Sequence, residues 1–261
     1  MQLKDKVVFL TGGSTGIGLC CARAYAKEGA RVIIFAPESD QVQDAVKQLG
    51  AGHLGIVGNV AVSASVQAAI SEAVAMYGKI DVIHNNAGIA SPSKPLHLTS
   101  EEEFDTLINV NVKGIFHTTR HGIAALIKTA GTIINTSSLV GEIGQELHAV
   151  YTATKGAVNA LTKSMALDYA PHRIRVNAVA PAGVWTPMLK KWCKEQPHPE
   201  TMEKYLNDIH VLGYCPEGDV IADACVFLAS ARAAFITGCI FPVTGGAELG
   251  YRRSSGETLL G

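Results

Sequence analysis

The sequence predicts an α/β fold: one domain, a doubly wound parallel sheet of about seven strands with helices on both faces. Three observations carry this. Short apolar runs alternate with helix-length amphipathic segments along the whole chain. The runs are nearly continuous rather than alternating, as in strands buried on both faces. No Pro/Ser-rich linker interrupts the alternation.

The elements follow in order. Val7–Thr11 is the first strand, followed by a helix near 17–28 and a stop at Gly29. Arg31–Phe35 is the second strand, followed by a helix at 39–49 that ends at Gly50. Leu54–Val57, a helix at 63–77 and Gly78 make the third unit. Val82–Asn85 leads to a long helix at 100–128 and to Gly131. Thr132–Thr136, a helix at 152–169 and Ile174–Ala178 come next. A helix at 217–229 and a last strand at Cys239–Val243 complete the set. One long break, Ala182–Tyr214 with Pro187, Pro197 and Pro199, reads as a lid, because a connection of that length in a compact domain is usually functional.

Composition narrows the function. The 261 residues carry a net charge of -1, with 48% hydrophobic and 17% charged residues and no basic block, which argues against nucleic acid as a partner. No apolar run reaches membrane-spanning length, and Met1–Lys6 reads directly into a strand, so a cytoplasmic protein without a membrane partner is expected. The six cysteines form no CxxC pair; Cys20 and Cys21 share a stripe with Ile17, Ala24 and Tyr25 and read as small core hydrophobes. The histidines lack zinc-site spacing, and His84 reads as a buried structural residue, so no metal is expected.

The stretch TGGSTGIG, Thr11–Gly18, joins the first strand to the first helix. Gly12 and Gly13 permit a tight turn, Gly16 close approach to a ligand, and Gly18 packing of helix on sheet. The helix N-terminus behind it suits a pyrophosphate. Its spacing is not Gly-x-Gly-x-x-Gly, and on this stretch alone a ligand-free turn is an equal reading.

Four further segments bear on the choice: NNAG at Asn85–Gly88, NVNVKG at Asn109–Gly114, the pair Ser137-Ser138, and YTATK at Tyr151–Lys155. With the glycine turn, and with FITGCIFPVTGG at Phe235–Gly246, the chain resembles the classical short-chain dehydrogenase/reductase family over essentially its whole length. The resemblance implies a Rossmann-like sheet, NAD or NADP as cofactor, and Asn111, Ser138, Tyr151 and Lys155 as catalytic residues. Cofactor contacts are implied for Gly12, Ser14, Thr15, Gly16, Ile17 and Gly18, and for Ala36, Asn59 and Val60 at the adenosine end. They are implied equally for Asn86, Ala87, Gly88, Tyr151 and Lys155, and for Pro181, Val184 and Thr186 around the nicotinamide. The family also implies a water held by Asn111 that links Lys155 to solvent, and a homotetramer built on the helices at 100–128 and 152–169.

The chemistry has a physical reading. Tyr151 and Lys155 stand at i and i+4 on one helix face. A free phenol titrates at about 10, and a nearby ammonium lowers that value. Tyr151 can then exchange a proton with a hydroxyl or carbonyl, while Ser138 hydrogen-bonds the same oxygen. The hydride must come from a cofactor. The expected function is therefore an NAD(P)-dependent oxidoreductase for a secondary alcohol and its ketone; the competing readings are a catalytically silent, regulatory nucleotide-binding member and an extended-type epimerase or dehydratase.

The chain departs from the family at several points. Ala36, followed by Pro37, stands where NAD users carry an acid, and Thr15 where NADP users often carry a base. Glu38 and Asp40 would repel a 2′-phosphate, which favours NAD. Asn59, Ala182 and Thr244 replace the usual Asp, Gly and Asp. Substrate is expected against Ser138, Val140, Gln145, His148, Tyr151 and Trp185, with Ser91, Lys94, Leu139 and Met188 nearby. Ala90 and Val140 occupy the positions of the Gln and His that mark acetoacetate-type members, so a different small alcohol/ketone pair is expected.

Overall fold

The computed structural model describes residues 1–250; the last part of the expected 1–261 domain, residues 251–261, lies outside the described residues. Seven strands, β1 Val7–Thr11, β2 Arg31–Ala36, β3 Leu54–Val57, β4 Val82–Asn85, β5 Thr132–Thr136, β6 Arg175–Pro181 and β7 Ile240–Val243, form one sheet of order β3-β2-β1-β4-β5-β6-β7. Every pairing is parallel. The order reverses between β1 and β4, and a ligand crevice opens outside the carboxyl ends of the strands at such a point. β6 runs three residues past its expected end because Ala178–Pro181 pair with Ile240–Val243.

Alternate residues of each strand feed opposite faces. Val8 and Leu10 of β1 pack with Val32 and Ile34 against α1 (Gly16–Lys27), α2 (Ser39–Leu49) and α9 (Asp219–Ala229). Val7 and Phe9 pack with Ile33, Phe35 and Ile83 against α3 (Ser63–Tyr77), α5 (Gly114–Thr129) and α6 (Ala149–Tyr169). In α1 the buried stripe is Gly18, Cys21, Ala22 and Tyr25. Cys20 is only half-buried and stands at the edge of that stripe.

The expected single helix at 100–128 is two. α4 (Glu101–Ile108) starts at a capping box, with the Ser100 hydroxyl accepting from Glu103 N and the Glu103 carboxylate accepting from Ser100 N. A π-helical turn, Asn109–Lys113, separates α4 from α5. Such a turn places an extra residue in the helix and turns side chains to a new face. Here it carries Asn111 into the interior, 2% exposed. The expected lid contains α7 (Pro187–Lys194) and α8 (Met202–Ile209) over a small apolar cluster of Cys193, Leu206 and Cys215. Among the described residues no helix is long and apolar enough to cross a membrane.

Asp81 holds the amino-terminal edge of this sheet. Its buried carboxylate accepts from Val7 N at 2.9 Å and pairs with Lys6 and Lys79 at 3.0 Å each. Its backbone bonds β1 at Val7 and β5 at Thr132. Burial alone would raise its pKa, but the Val7 N–H and the two ammonium groups outweigh that and hold it below the usual value. Its stabilisation is complete above the unfolded carboxyl value of about 3.9 and is lost as pH falls through the lower folded value. Asp81→Asn is expected to cost about 1–3 kcal/mol, a fall in Tm of roughly 3–10 °C at pH 7. Thermal melts of both proteins at pH 7 and below pH 4 check this, with the gap narrowing in acid.

Candidate active site

A cleft of about 710 Å³ lies along the carboxyl ends of the central strands. Its floor is the glycine turn. Gly12 has φ +63, and a Cβ there would meet Ala87 Cα at 2.8 Å. A Cβ on Gly18 would lie 2.0 Å from the Gly12 carbonyl oxygen, so any side chain there would force turn and helix apart. The Thr15 side chain does not cap α1, so the first-turn N–H groups beside the cleft keep their hydrogen-bonding capacity. An open backbone cradle with unused donors at a positive helix end fits a dinucleotide pyrophosphate.

The side wall of that turn is built by Asn86. Its Nδ2 donates to Thr11 O at 3.2 Å and Gly12 O at 3.0 Å, and its Oδ1 accepts from the Thr136 hydroxyl at 3.3 Å. Thr11 Oγ1 in turn accepts from Asn86 N and Ala87 N, each at 3.0 Å. Ser14, Thr15, Gly16, Ile17, Ala87 and Gly88 border the same space, as do Pro181, Val184 and Thr186 on the far side.

At the adenosine end the lining residues include Ala36, Pro37, Glu38, Gln41, Asn59 and Val60. Of the two acids expected there, Glu38 faces the cleft and Asp40 does not. Asp40 sits in the first turn of α2, exposed. Asn59 spends its Oδ1 on Ala61 N at 2.9 Å, which leaves its Nδ2 to donate to a base.

The structure brings Ser138, Tyr151 and Lys155 together midway along the cleft. α6 begins at Ala149, three residues earlier than the sequence suggests, so Tyr151 lies in its first turn. The Ser138 hydroxyl stands beside the Tyr151 phenol; its Oγ donates to Pro181 O and accepts from Val140 N, each at 3.4 Å. Lys155 Nζ lies 5.6 Å from the centre of the Tyr151 ring and donates to Thr136 O at 2.9 Å. Burial pushes the Lys155 ammonium down to about 8. Burial also raises the Tyr151 phenol, and the Ser138 hydroxyl offsets only part of the rise. A neighbouring ammonium alone would lower the phenol; removal from water wins because Lys155 is itself desolvated and bonded to a carbonyl.

Asn111 stands one layer behind. Its amide accepts from Ile89 N and donates to Ile89 O, both at 2.9 Å, and donates to Thr154 at 3.1 Å. A Cβ built on Gly88 would touch both Asn111 Oδ1 (3.4 Å) and Lys155 Nζ (3.6 Å). The π-turn thus sets Asn111 behind the loop that carries Gly88.

Among the expected substrate residues, Val140, Gln145 and His148 border the cleft, with Leu139 and Met188. Trp185 does not: it packs on the Cys193, Leu206 and Cys215 cluster and bridges to Glu217, because the chain after β6 is still extended there. Ser91 is buried outside the lining, and Lys94 is engaged by Glu103 at 2.6 Å. The cleft is instead covered by Leu189, Trp192, Tyr205, Leu206 and Ile209. Met188 and Trp192, at i and i+4 on α7, were the available signal.

His148, the N-cap of α6, fastens this cover. Its Nδ1 donates to Glu146 O at 2.8 Å, which leaves Nε2 to accept from Ser93 at 3.2 Å. Ser93 Oγ in turn accepts from Trp192 Nε1 at 3.1 Å and Gln196 Nε2 at 3.5 Å.

An open glycine cradle at a sheet switch point, leading to half-buried Ser138 and Tyr151 backed by buried Lys155, defines a dinucleotide-dependent oxidoreductase. A family model described as enoyl-(acyl carrier protein) reductase matches residues 12–248, and the chain belongs to the short-chain dehydrogenase/reductase family. It is 39% identical to an L-fucose dehydrogenase of Mus musculus, covering 100% of this chain and 94% of that one. Aldohexose dehydrogenase of Thermoplasma acidophilum superposes with a TM-score of 0.88 at 34% identity, covering 98% of each chain. A 3-ketoacyl-(acyl-carrier-protein) reductase of Brucella melitensis, solved with NADH, gives 0.87 at 32% identity, covering 94% of this chain and 99% of that one. Like the family, the chain is an NAD(P)-dependent oxidoreductase.

The buried ammonium has a stability signature. Lys155 binds its proton at about 8 when folded and at about 10.5 when unfolded, so between those values the unfolded chain holds more protons and stability rises with pH. Below pH 8 the penalty is full, on the order of 3 kcal/mol. Lys155→Met is expected to melt a few degrees above the parent at pH 7, with the advantage gone by about pH 10. Melting curves across that range in the absence of cofactor check it.

Proposed function

We propose that this protein oxidises a ring CH–OH of a small sugar-like substrate to the carbonyl, reversibly, with Tyr151 moving the hydroxyl proton. The observation that carries the reading is the convergence of the Ser138 and Tyr151 hydroxyls, backed by Lys155, at the one point where the cradle meets the covered end of the cleft. A nicotinamide held in the cradle would supply the two-electron chemistry, as hydride acceptor in one direction and donor in the other. Ser138 holds the substrate oxygen. Tyr151 receives its proton in oxidation and returns it in reduction. Lys155 places a positive charge behind the phenolate and holds the nicotinamide ribose. Asn111 keeps Gly88 and Ile89 in place beside them. Intact Tyr151 and Lys155 weigh against a silent, regulatory member.

The sugar class is supported by two relatives named for fucose and aldohexose, and by Gln145 at the end of the cleft where ring hydroxyls would lie. Residues 182–214 act as the lid: Met188, Leu189, Trp192 and Tyr205 face the cleft, and the Ser93–Trp192 bond is the contact that closure makes. A homotetramer is proposed through α4, α5 and α6, on which Phe104, Phe116 and Leu167 are exposed.

Tyr151→Phe is expected to lower kcat for an aldose by about 10²–10⁴-fold while the Kd for NADH changes little. Following reduced cofactor over a panel of aldoses, with fluorescence titration of NADH, tests both. Near-parental turnover removes Tyr151 from the mechanism, and no aldose turnover with another alcohol oxidised removes the sugar.

NADH is expected to bind about two- to fivefold more tightly than NADPH. Glu38 faces the adenosine end, and Lys155 is the sole Lys or Arg among the described residues lining the cleft. Titration with each cofactor checks this, and tighter NADPH binding would overturn it.

A further inference from the structure

Beneath the floor of the cleft, three elements bring Cys21 (α1), His84 (β4) and Cys225 (α9) into one cluster. Their ligating atoms all lie within 4.8 Å of one another, and Cys225 Sγ is 4.0 Å from His84 Nε2. All three side chains are fully buried. Neither the proton transfer nor the cofactor cradle uses any of them. We propose that Cys21, His84 and Cys225 form a structural site for a soft, thiophilic divalent ion of the zinc type.

The donor set selects this chemistry. Two sulfurs and an imidazole suit zinc and disfavour magnesium or calcium, which require oxygen. Tetrahedral zinc with bonds of about 2.3 Å to sulfur and 2.0 Å to nitrogen sets its ligands roughly 3.5–3.8 Å apart. Small rotations of the two cysteine side chains close the remaining distance. The imidazole is already oriented. Tyr25 OH lies 3.0 Å from Nδ1 and would accept the imidazole proton's hydrogen bond there once Nε2 turns to the ion. The Thr136 hydroxyl gives its proton to Asn86 and accepts from Nε2 at 3.0 Å; binding would shift the imidazole proton to Nδ1 and free this oxygen's lone pair as the fourth ligand.

The charge also balances. Binding releases the two thiol protons, so a dication and two thiolates make a neutral unit. The surroundings are the apolar core of Leu10, Val179, Ile221 and Val226, which tolerates a neutral unit far better than an isolated charge. The ion would enter as α9 docks on α1 and would fasten both helices to β4. This inference rests on the fold and is independent of the proposed sugar chemistry.

The test is refolding. The full chain is unfolded in guanidinium with reductant and chelator, then refolded in metal-free buffer with or without one equivalent of ZnCl2. Elemental analysis after gel filtration should find one zinc per chain, with Tm raised by several degrees. Refolding with Co²⁺ should give a thiolate-to-cobalt charge-transfer band. Cys225→Ala and Cys21→Ala should lose the metal, and Cys20→Ala, at the half-exposed neighbour, should keep it. Folded parent protein without zinc, zinc retained by Cys225→Ala, or a Cys21–Cys225 disulfide formed despite zinc would each overturn the site. If neither buried variant refolds, the cobalt spectrum of the parent chain decides: absence of the band overturns the proposal.

Discussion

The site depends on one clamp, the Asn86 side chain. It grips the backbone at Thr11 and Gly12 with its amide nitrogen and takes the Thr136 hydroxyl with its oxygen. The ends of β1, β4 and β5 are thereby tied at the point where the strand order reverses. That tie shapes the glycine turn against Ala87. It also fixes Thr136, whose carbonyl holds Lys155. Cradle and proton-transfer group are thus positioned by the same few hydrogen bonds, each satisfying a group that burial would otherwise leave unpaired.

The reacting groups are held out of water at a cost. Lys155 is 5% exposed and its ammonium is disfavoured accordingly. The phenol of Tyr151 is likewise kept in its neutral form. A neutral phenol beside a reluctant ammonium is a pair waiting for a further charge, and a cationic ring placed against it would favour the phenolate. The scaffold around the pair is correspondingly rigid: Ser137 bonds Lys155 O and Asn159 from below, and Asn111 pins the opposite loop.

What could be read from sequence follows from what is local. Strands such as Val7–Thr11 and Val82–Asn85 are legible because a continuous apolar run needs no partner to be recognised. Ser138, Tyr151 and Lys155 are legible because resemblance to a known family fixes their order along the chain. The π-turn at Asn109–Lys113 is not, since its extra residue does not disturb the apolar period of a helix that would otherwise run unbroken. Trp192 is not legible as the cover, and Trp185 is expected in its place, because sequence gives no direction to a side chain in an irregular segment; the start of α7 at Pro187 sets Trp192 over the cleft. The grouping of Cys21, His84 and Cys225 is invisible to any spacing rule, the last two being 141 positions apart.

The packing of α1 on α9 has a consequence for the chain as it is made. The face of α1 that carries Cys21, Ala22 and Tyr25 leaves the ribosome well before its cover, Ile221 to Val226. Throughout synthesis that face is a greasy strip without a partner, the kind of surface on which unfinished chains stick to one another. A message cut short after β6 would yield a polypeptide with most of its sheet and this strip bare. The burden of chaperone attention therefore falls on α1 and the harm of premature termination on the loss of α9, two distant elements joined by a helix contact.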